Sequence, residues 1–119
     1  MALSDEEVVS LIRRMMQQID DVRLLFELRK LNLRIKSRTL EYIKACIAIS
    51  SLQLPITADL VATTIGSTQR TTMLVLHGLG DKGLLRFIPV RRKFYCWRPS
   101  QQLVDIMEVC LREGNNVHT

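Results

Sequence analysis

The side chains that most often perform catalysis or hold metals are few in this chain and lie far apart in sequence. There are three cysteines, Cys46, Cys96 and Cys110, and two histidines, His77 and His118. No two cysteines form a C-x-x-C pair, so neither a zinc site nor a redox dithiol is indicated. Their odd number also argues against a disulfide framework. We expect each cysteine to be a small buried apolar residue, and we expect no metal and no cofactor.

Acidic groups and glycine-rich segments give no catalytic arrangement either. Asp20 and Asp21 are the one adjacent acid pair besides the N-terminal run, and neighbours on a helix point apart. The segment GLGDKG at 78–83 follows a predicted helix, whereas a phosphate-binding loop follows a strand. These patterns predict that the protein is not an enzyme.

Positive charge is the property that most suggests a binding function. The net charge is +5, and the charge is unevenly distributed along the chain. Residues 28–50 and residues 86–98 each carry +5, whereas residues 1–27 carry −3 and residues 99–119 carry −2. Two basic patches between acidic ends favour one surface that faces a polyanion. The alternative for each patch is a solvated basic face.

Length and composition indicate one soluble domain. The chain has 119 residues, of which 47% are hydrophobic and 24% charged, as in ordinary globular proteins. Its apolar runs are too short to span a membrane. The opening MALSDEEVV is acidic where a signal peptide carries a basic lead and an apolar run. We therefore expect a cytoplasmic protein that does not contact membranes.

A long amphipathic helix is predicted at the N-terminus. Ser4 and Glu7 have the spacing of a capping box. Apolar residues then recur at steps of 4, 3, 4, 3 and 4, which is the spacing of a heptad seam. The seam packs either on the core of the domain or on the same helix of a second copy, and the two alternatives are compatible. Its residues are Val8, Ile12, Met15, Ile19, Val22 and Phe26.

The middle of the chain predicts a buried helix between two connectors. Residues 31–36 lose the heptad and indicate a connector. Ser37 then caps a helix at about 38–51, whose apolar residues cover most of its circumference. Pro55 and Ile56 start a short extended piece, since proline prefers a strand edge or first position.

Two shorter helices with a tight turn follow this extended piece. Thr57 is the expected cap of a helix at 58–64, and Gly66 ends it because glycine adopts the left-handed conformation easily. Thr68, or alternatively Ser67, caps the next helix at about 69–81.

A basic hairpin and a last helix complete the predicted fold. Residues 84–89 and 93–98 have strand composition, and residues 90–92 form the turn between them. Ser100 caps a helix to about Arg112 that Gly114 ends, and the tail 115–119 is frayed. The whole chain is predicted to be a single, mainly α domain with a small β-hairpin. Its segments are 1–36 (helix and connector), 37–98 (core) and 99–119 (last helix and tail).

The segment 37–98 resembles the winged helix-turn-helix superfamily of transcriptional regulators. Members commonly show I-T-x-x-x-L-A-x-x-x-G, then S/T-x-x-T and L-x-x-x-G-L-I. This chain has ITADLVATTIG at 56–66, STQRTT at 67–72 and LGDKGLLRF at 79–87. The long first helix, the helix after the wing and the compact size resemble the MarR-type branch most. That resemblance implies a homodimer in which the terminal helices make the contact. The residues implied are Val8, Ile12, Met15, Ile19, Leu103, Ile106 and Met107.

The resemblance also implies which side chains would contact double-stranded DNA. Gln69 and Arg70, with Thr57, Thr68 and Thr71, would lie at the groove end of the helix-turn-helix, where Arg and Gln can contact base edges. The wing tip would contact phosphates or a minor groove. The basic residues at the wing tip are Arg91, Arg92 and Lys93. Lys36 and Arg38, at the start of the buried helix, would reach the adjacent DNA backbone.

One departure from the family pattern keeps a second function open. Members often carry polar or basic residues in the exposed middle of the recognition helix, where this chain has Met73 and Leu74. Apolar side chains there suit thymine methyl groups or a protein partner. The alternative is therefore a winged-helix module that binds another protein without base-specific DNA contacts.

Overall fold

The computed structural model describes the backbone of residues 2–116 and the side chains of residues 2–111. Over this range the fold is mainly helical with one antiparallel two-stranded hairpin, which confirms the predicted class. None of the helices in this range is long and apolar enough to cross a membrane. The elements are α1 (Asp5–Gln17), α2 (Asp21–Lys30), α3 (Ser37–Ser51), α4 (Ala58–Ile65), α5 (Gln69–Asp81), β1 (Leu85–Arg91), β2 (Phe94–Pro99) and α6 (Gln101–Asn116).

The prediction of one long N-terminal helix is wrong, because the chain breaks between α1 and α2. The capping box at the start of α1 is confirmed, with Ser4 Oγ accepting from the Glu7 amide at 3.2 Å. The Asp20 carboxylate accepts a hydrogen bond from the Val22 amide at 3.0 Å and is the N-cap of α2. A strong N-cap starts a new helix even where the apolar spacing continues through it.

The break divides the predicted heptad seam. Ile12 and Ile19 are buried in the core of this chain, and Val8 and Met15 are half-buried against it. Val22 and Phe26 are instead 75% and 52% exposed on α2. A continuous seam from Val8 to Phe26 is therefore wrong, and its first part belongs to the core. In α6, likewise, Leu103 and Ile106 are buried and Met107 is half-buried.

The core is centred on α3, whose residues 40 and 42–49 are all buried. The cysteines are buried as expected, and burial raises the pKa of Cys46 to about 12. The Ile56 amide donates to the Trp97 carbonyl at 3.2 Å, and the Trp97 amide donates back at 2.8 Å. This bridge confirms the short extended piece at 55–56 and attaches it to β2.

Several predicted boundaries shift by a few residues. The N-cap of α3 is Lys36, without a side-chain hydrogen bond, so Ser37 lies inside the helix. The hairpin turns at Arg92 and Lys93 because β1 extends through Arg91. Helix α6 continues through Gly114 to Asn116, so Gly114 does not end it. Of the predicted frayed tail, residues 117–119 lie outside the described residues.

Candidate nucleic-acid interface

The α4–α5 unit is positioned by three local signals that the sequence predicts. Thr57 Oγ1 accepts from the Leu60 amide at 3.2 Å and caps α4. Gly66 has φ +79°, a left-handed conformation that favours glycine, and it ends α4. Thr68 Oγ1 accepts from the Thr71 amide at 3.1 Å, so Thr68 and not Ser67 caps α5. The start of α5 is therefore fixed by backbone geometry and one hydroxyl cap.

Helix α3 begins beside this turn. The Tyr42 hydroxyl donates to Ser67 Oγ at 2.8 Å, across the space between α3 and the α4–α5 turn. Arg38 lies one helical turn before Tyr42, on the same side of α3. Both Lys36 and Arg38 are exposed. That these two cations reach the adjacent DNA backbone stays a prediction.

The exposed face of α5 begins polar and becomes apolar. Gln69 and Arg70 are exposed at its start, and Thr71 is half-buried. Thr72, Leu76 and Leu79 are the buried positions of the helix. The opposite face is a line of exposed side chains at helical spacing, which we call the α5 stripe. Its members are Arg70, Leu74, His77 and Asp81.

Met73 and Leu74, which the sequence treats alike, have different environments. Met73 is half-buried, and its Sδ accepts a hydrogen bond from the Tyr95 hydroxyl at 3.1 Å. Leu74 is 70% exposed. Only Leu74 of the two is thus presented on the outer face of the helix.

The hairpin is held against α5 by aromatic rings. The His77 ring lies 5.8 Å from the Phe87 ring and 5.2 Å from the Trp97 ring, between centroids. Phe87 and Trp97 are cross-strand partners, and the Tyr95 ring contacts both at 5.1 and 5.4 Å. Tyr95 and Trp97 therefore pack across the two strands and against α5. This packing fixes the direction in which the hairpin leaves α5.

The hairpin tip, which we define as Arg91, Arg92 and Lys93, is exposed. The strand register shifts between Pro89 and Arg91, which leaves Val90 as an additional residue on β1. Lys93 has φ +69°, a conformation that costs a non-glycine residue about 1 kcal/mol. The tip thus combines three cations with a turn geometry that glycine would satisfy better.

A second pair of cations lies on the hairpin, and the sequence prediction missed its arrangement. Arg86 and Arg98 are direct cross-strand partners, and both are exposed. Like charges directly opposite each other destabilise a strand pair. The turn lies at residues 92–93, whereas the sequence predicts it at residues 90–92. Only with the observed turn do Arg86 and Arg98 become cross-strand partners.

Among the described side chains, the cations of this surface have no acidic partner, whereas Lys30 and Lys44 are paired with acids. Lys44 Nζ lies 2.9 Å from Asp21 and 3.0 Å from Glu41, and Lys30 Nζ lies 3.0 Å from Glu27. Among the side chains of residues 2–111, no acid forms an ion pair with Arg38, Arg70 or any cation of the hairpin. The surface around α5 therefore attracts anions.

Neither a metal site in the described part of the chain nor a related protein was identified. Over the described part of the chain, no three His, Cys, Asp or Glu side chains are grouped so as to hold a metal ion. Comparison of the sequence and structure with protein-family models, curated proteins and solved structures found no match in any of the three.

Proposed function

We propose that α3, the Ile56 bridge, α4, α5 and the hairpin form a winged helix-turn-helix that binds double-stranded DNA. In this proposal the protein is a sequence-specific transcriptional regulator that acts as a homodimer. The order of these elements and the hairpin packed on α5 support the fold assignment. The proposal is one of binding, with no catalytic step.

The observation that carries the proposal is the group of unpaired cations around the start of α5. Arg70 lies on the helix itself, and Arg38 lies one turn before Tyr42, whose hydroxyl contacts Ser67 in the turn before α5. The hairpin that carries the tip packs on α5 through the contacts of His77 and Tyr95. DNA affinity comes largely from such cations, because each phosphate contact releases condensed counterions.

Each segment has a distinct role in the proposed complex. Gln69 and Arg70 suit adenine and guanine edges in the major groove. Thr57 and Thr68 hold the helix starts and offer hydroxyls to phosphates. The hairpin tip contacts the backbone or an adjacent minor groove. In a twofold dimer, the two copies of α5 would contact half-sites about one DNA turn apart.

The dimer contact in this proposal involves the α2 end of the predicted seam more than the residues that the resemblance implies in α1 and α6. Ile12, Ile19, Leu103 and Ile106 are already buried within one chain. Val22 and Phe26 remain exposed and lie one turn apart on α2, where a second copy could cover them. We expect sedimentation equilibrium to show a dimer that the double substitution Val22→Ser, Phe26→Ser dissociates. Leu3→Ser, at another exposed apolar residue, is the control; a dimer that persists in the double variant would exclude this contact.

The direct test is selection of bound sequences from a random duplex pool, followed by anisotropy measurements on the selected duplex. We expect a partly palindromic site and a loss of affinity of about 5- to 150-fold for Arg70→Ala, since a bidentate base contact is worth about 1–3 kcal/mol. Lys82→Ala is the matched control, because Lys82 is an exposed cation at the opposite end of α5. Absence of duplex binding at low salt would refute the proposal.

The second candidate function is a protein-interaction module of the same fold. It is favoured by the exposure of Leu74, at 70%, and of Phe87, at 47%. The double substitution Arg91→Ala, Arg92→Ala separates the two. A protein-interaction module retains its partner and its activity in this variant, whereas a DNA-binding regulator loses both affinity and activity.

A further inference from the structure

We propose that Leu74 recognises the 5-methyl group of thymine and is a specificity-determining residue of α5. This inference rests on the proposed DNA-binding function and extends it to a particular base. A leucine side chain offers no hydrogen bond, so it cannot distinguish bases by their donors and acceptors. The thymine methyl is the apolar group that the major groove presents to such a side chain.

The position of Leu74 on the α5 stripe places it within reach of bases if Arg70 contacts one. Leu74 follows Arg70 by four residues, so the two lie on one face and about 6 Å apart along the helix axis. That separation corresponds to roughly two base-pair steps of about 3.4 Å. We therefore expect a thymine one or two steps from the base that Arg70 contacts.

The environment of Leu74 favours a methyl group over a protein partner. Its neighbours on the stripe are the cation Arg70 and the polar ring of His77, and Met73 is held inward by the Tyr95 hydroxyl. On the helix itself the apolar side chain of this stripe is Leu74, and the exposed ring of Phe87 lies on the hairpin beside His77. Protein interfaces bury on the order of 800 Å² per partner, with an apolar centre made of several residues. One leucine on the helix, one turn from the unpaired Arg70, matches the size and charge of a base pair in the groove better.

The acidic end of the stripe limits which part of α5 can contact DNA. Asp81 would be repelled by phosphates, and it lies eleven residues after Arg70, about 16 Å along the axis. Gln69, Arg70, Leu74 and His77 occupy the end of the helix that carries no acid. Helix α5 therefore enters the groove by its start, and Leu74 is the apolar residue that lies furthest into that contact.

The experiment replaces thymine by uracil, one position at a time, in the duplex obtained by selection. Uracil lacks only the 5-methyl group, so base pairing and groove hydrogen bonds are unchanged. At one thymine per half-site we expect the wild-type protein to bind the uracil duplex about fourfold more weakly, the value for one buried methyl. Leu74→Ala should bind both duplexes equally, and Leu3→Ala should keep the wild-type ratio.

The outcomes separate this inference from the function on which it rests. If wild-type protein binds thymine and uracil duplexes equally at every position, while Arg70→Ala still weakens binding, then DNA binding stands and the role of Leu74 is refuted. A Leu74→Ala variant that keeps the thymine preference refutes it as well, and leaves Leu74 to a protein partner. If folded wild-type protein did not bind duplex DNA at all, the proposed function itself would be refuted.

Discussion

The Tyr42 hydroxyl donates a hydrogen bond to Ser67 Oγ at 2.8 Å, and this contact joins α3 to the turn that precedes α5. We expect Tyr42→Phe to lower the free energy of unfolding by about 1 kcal/mol, the value of one such bond. It should also weaken DNA binding severalfold, because the start of α5 and Arg38 are no longer held together.

Tyr95→Phe is the matched control for this substitution. It also removes one hydroxyl, but from a contact with Met73 Sδ at the hairpin. Urea unfolding measures the stability of both variants, and anisotropy measures their affinity. If Tyr42→Phe and Tyr95→Phe reduce affinity equally, the Tyr42–Ser67 bond has no special role in positioning α5.

The left-handed conformation of Lys93 allows stability and binding to be separated at one residue. With φ +69°, Lys93→Gly should raise the free energy of unfolding by up to about 1 kcal/mol, since glycine adopts this conformation without steric cost. The same substitution removes a cation from the hairpin tip, so DNA affinity should fall. Thermal unfolding and anisotropy give the two values. A variant that is both more stable and unchanged in binding would show that the charge of Lys93 is not used.

The number of phosphates contacted by the hairpin tip can be obtained from the dependence of affinity on salt. The logarithm of the binding constant falls with the logarithm of salt concentration by about 0.9 per phosphate contact. We expect Arg91→Ala, Arg92→Ala to reduce that slope by roughly two units, and Lys82→Ala to leave it unchanged. An unchanged slope in the double variant would place the tip away from the DNA backbone.

The ion pair between Lys44 and Asp21 attaches α2 to α3, and Lys44 forms a second pair with Glu41 within α3. Together the two pairs give a pH dependence at alkaline pH. Burial lowers the pKa of Lys44, but hydrogen bonds to Asp21 and Glu41 and the charges of both outweigh burial, so the net shift is upward from 10.5. Because the folded-state pKa lies above the unfolded one, the contribution is fully present below pH 10.5. It is lost as pH rises through the folded-state pKa.

Lys44→Met tests this contribution. Replacement should destabilise the protein by about 1 kcal/mol at pH 7, since both acids are half exposed and water screens the pairs. The difference from wild type should shrink above pH 10.5, as measured by urea unfolding at pH 7 and pH 11. A difference that is constant over this range would mean that Lys44 stabilises by packing alone.

The caps and turns of the fold are predictable because their signals are local. Thr57, Gly66 and Thr68 each act within four residues, and each has the predicted role. The division between α1 and α2 is different. Asp20 is a single polar residue inside six apolar positions at heptad spacing, and the spacing alone indicates one helix. Only the packing of α2 shows that Val22 and Phe26 do not continue the buried face.

The candidate site is predictable in its cations but not in its apolar residues. Arg70 and the hairpin tip are exposed, as surface charges generally are. Met73 and Leu74 differ because Tyr95, which is more than twenty residues away, covers the first and not the second. That distinction depends on the hairpin register, which the sequence pattern places incorrectly at residues 90–93.

Arg86 and Arg98 carry like charges at directly opposite positions of the two strands. Repulsion between them therefore raises the free energy of the hairpin when no anion is bound. Any anion placed between them lowers the repulsion, so part of the binding free energy comes from relief within the protein. By linkage, a bound polyanion should protect the backbone amides of β1 and β2 from hydrogen exchange more than those of α3. If the polyanion slows exchange in β1 and β2 no more than in α3, this repulsion does not limit the order of the hairpin.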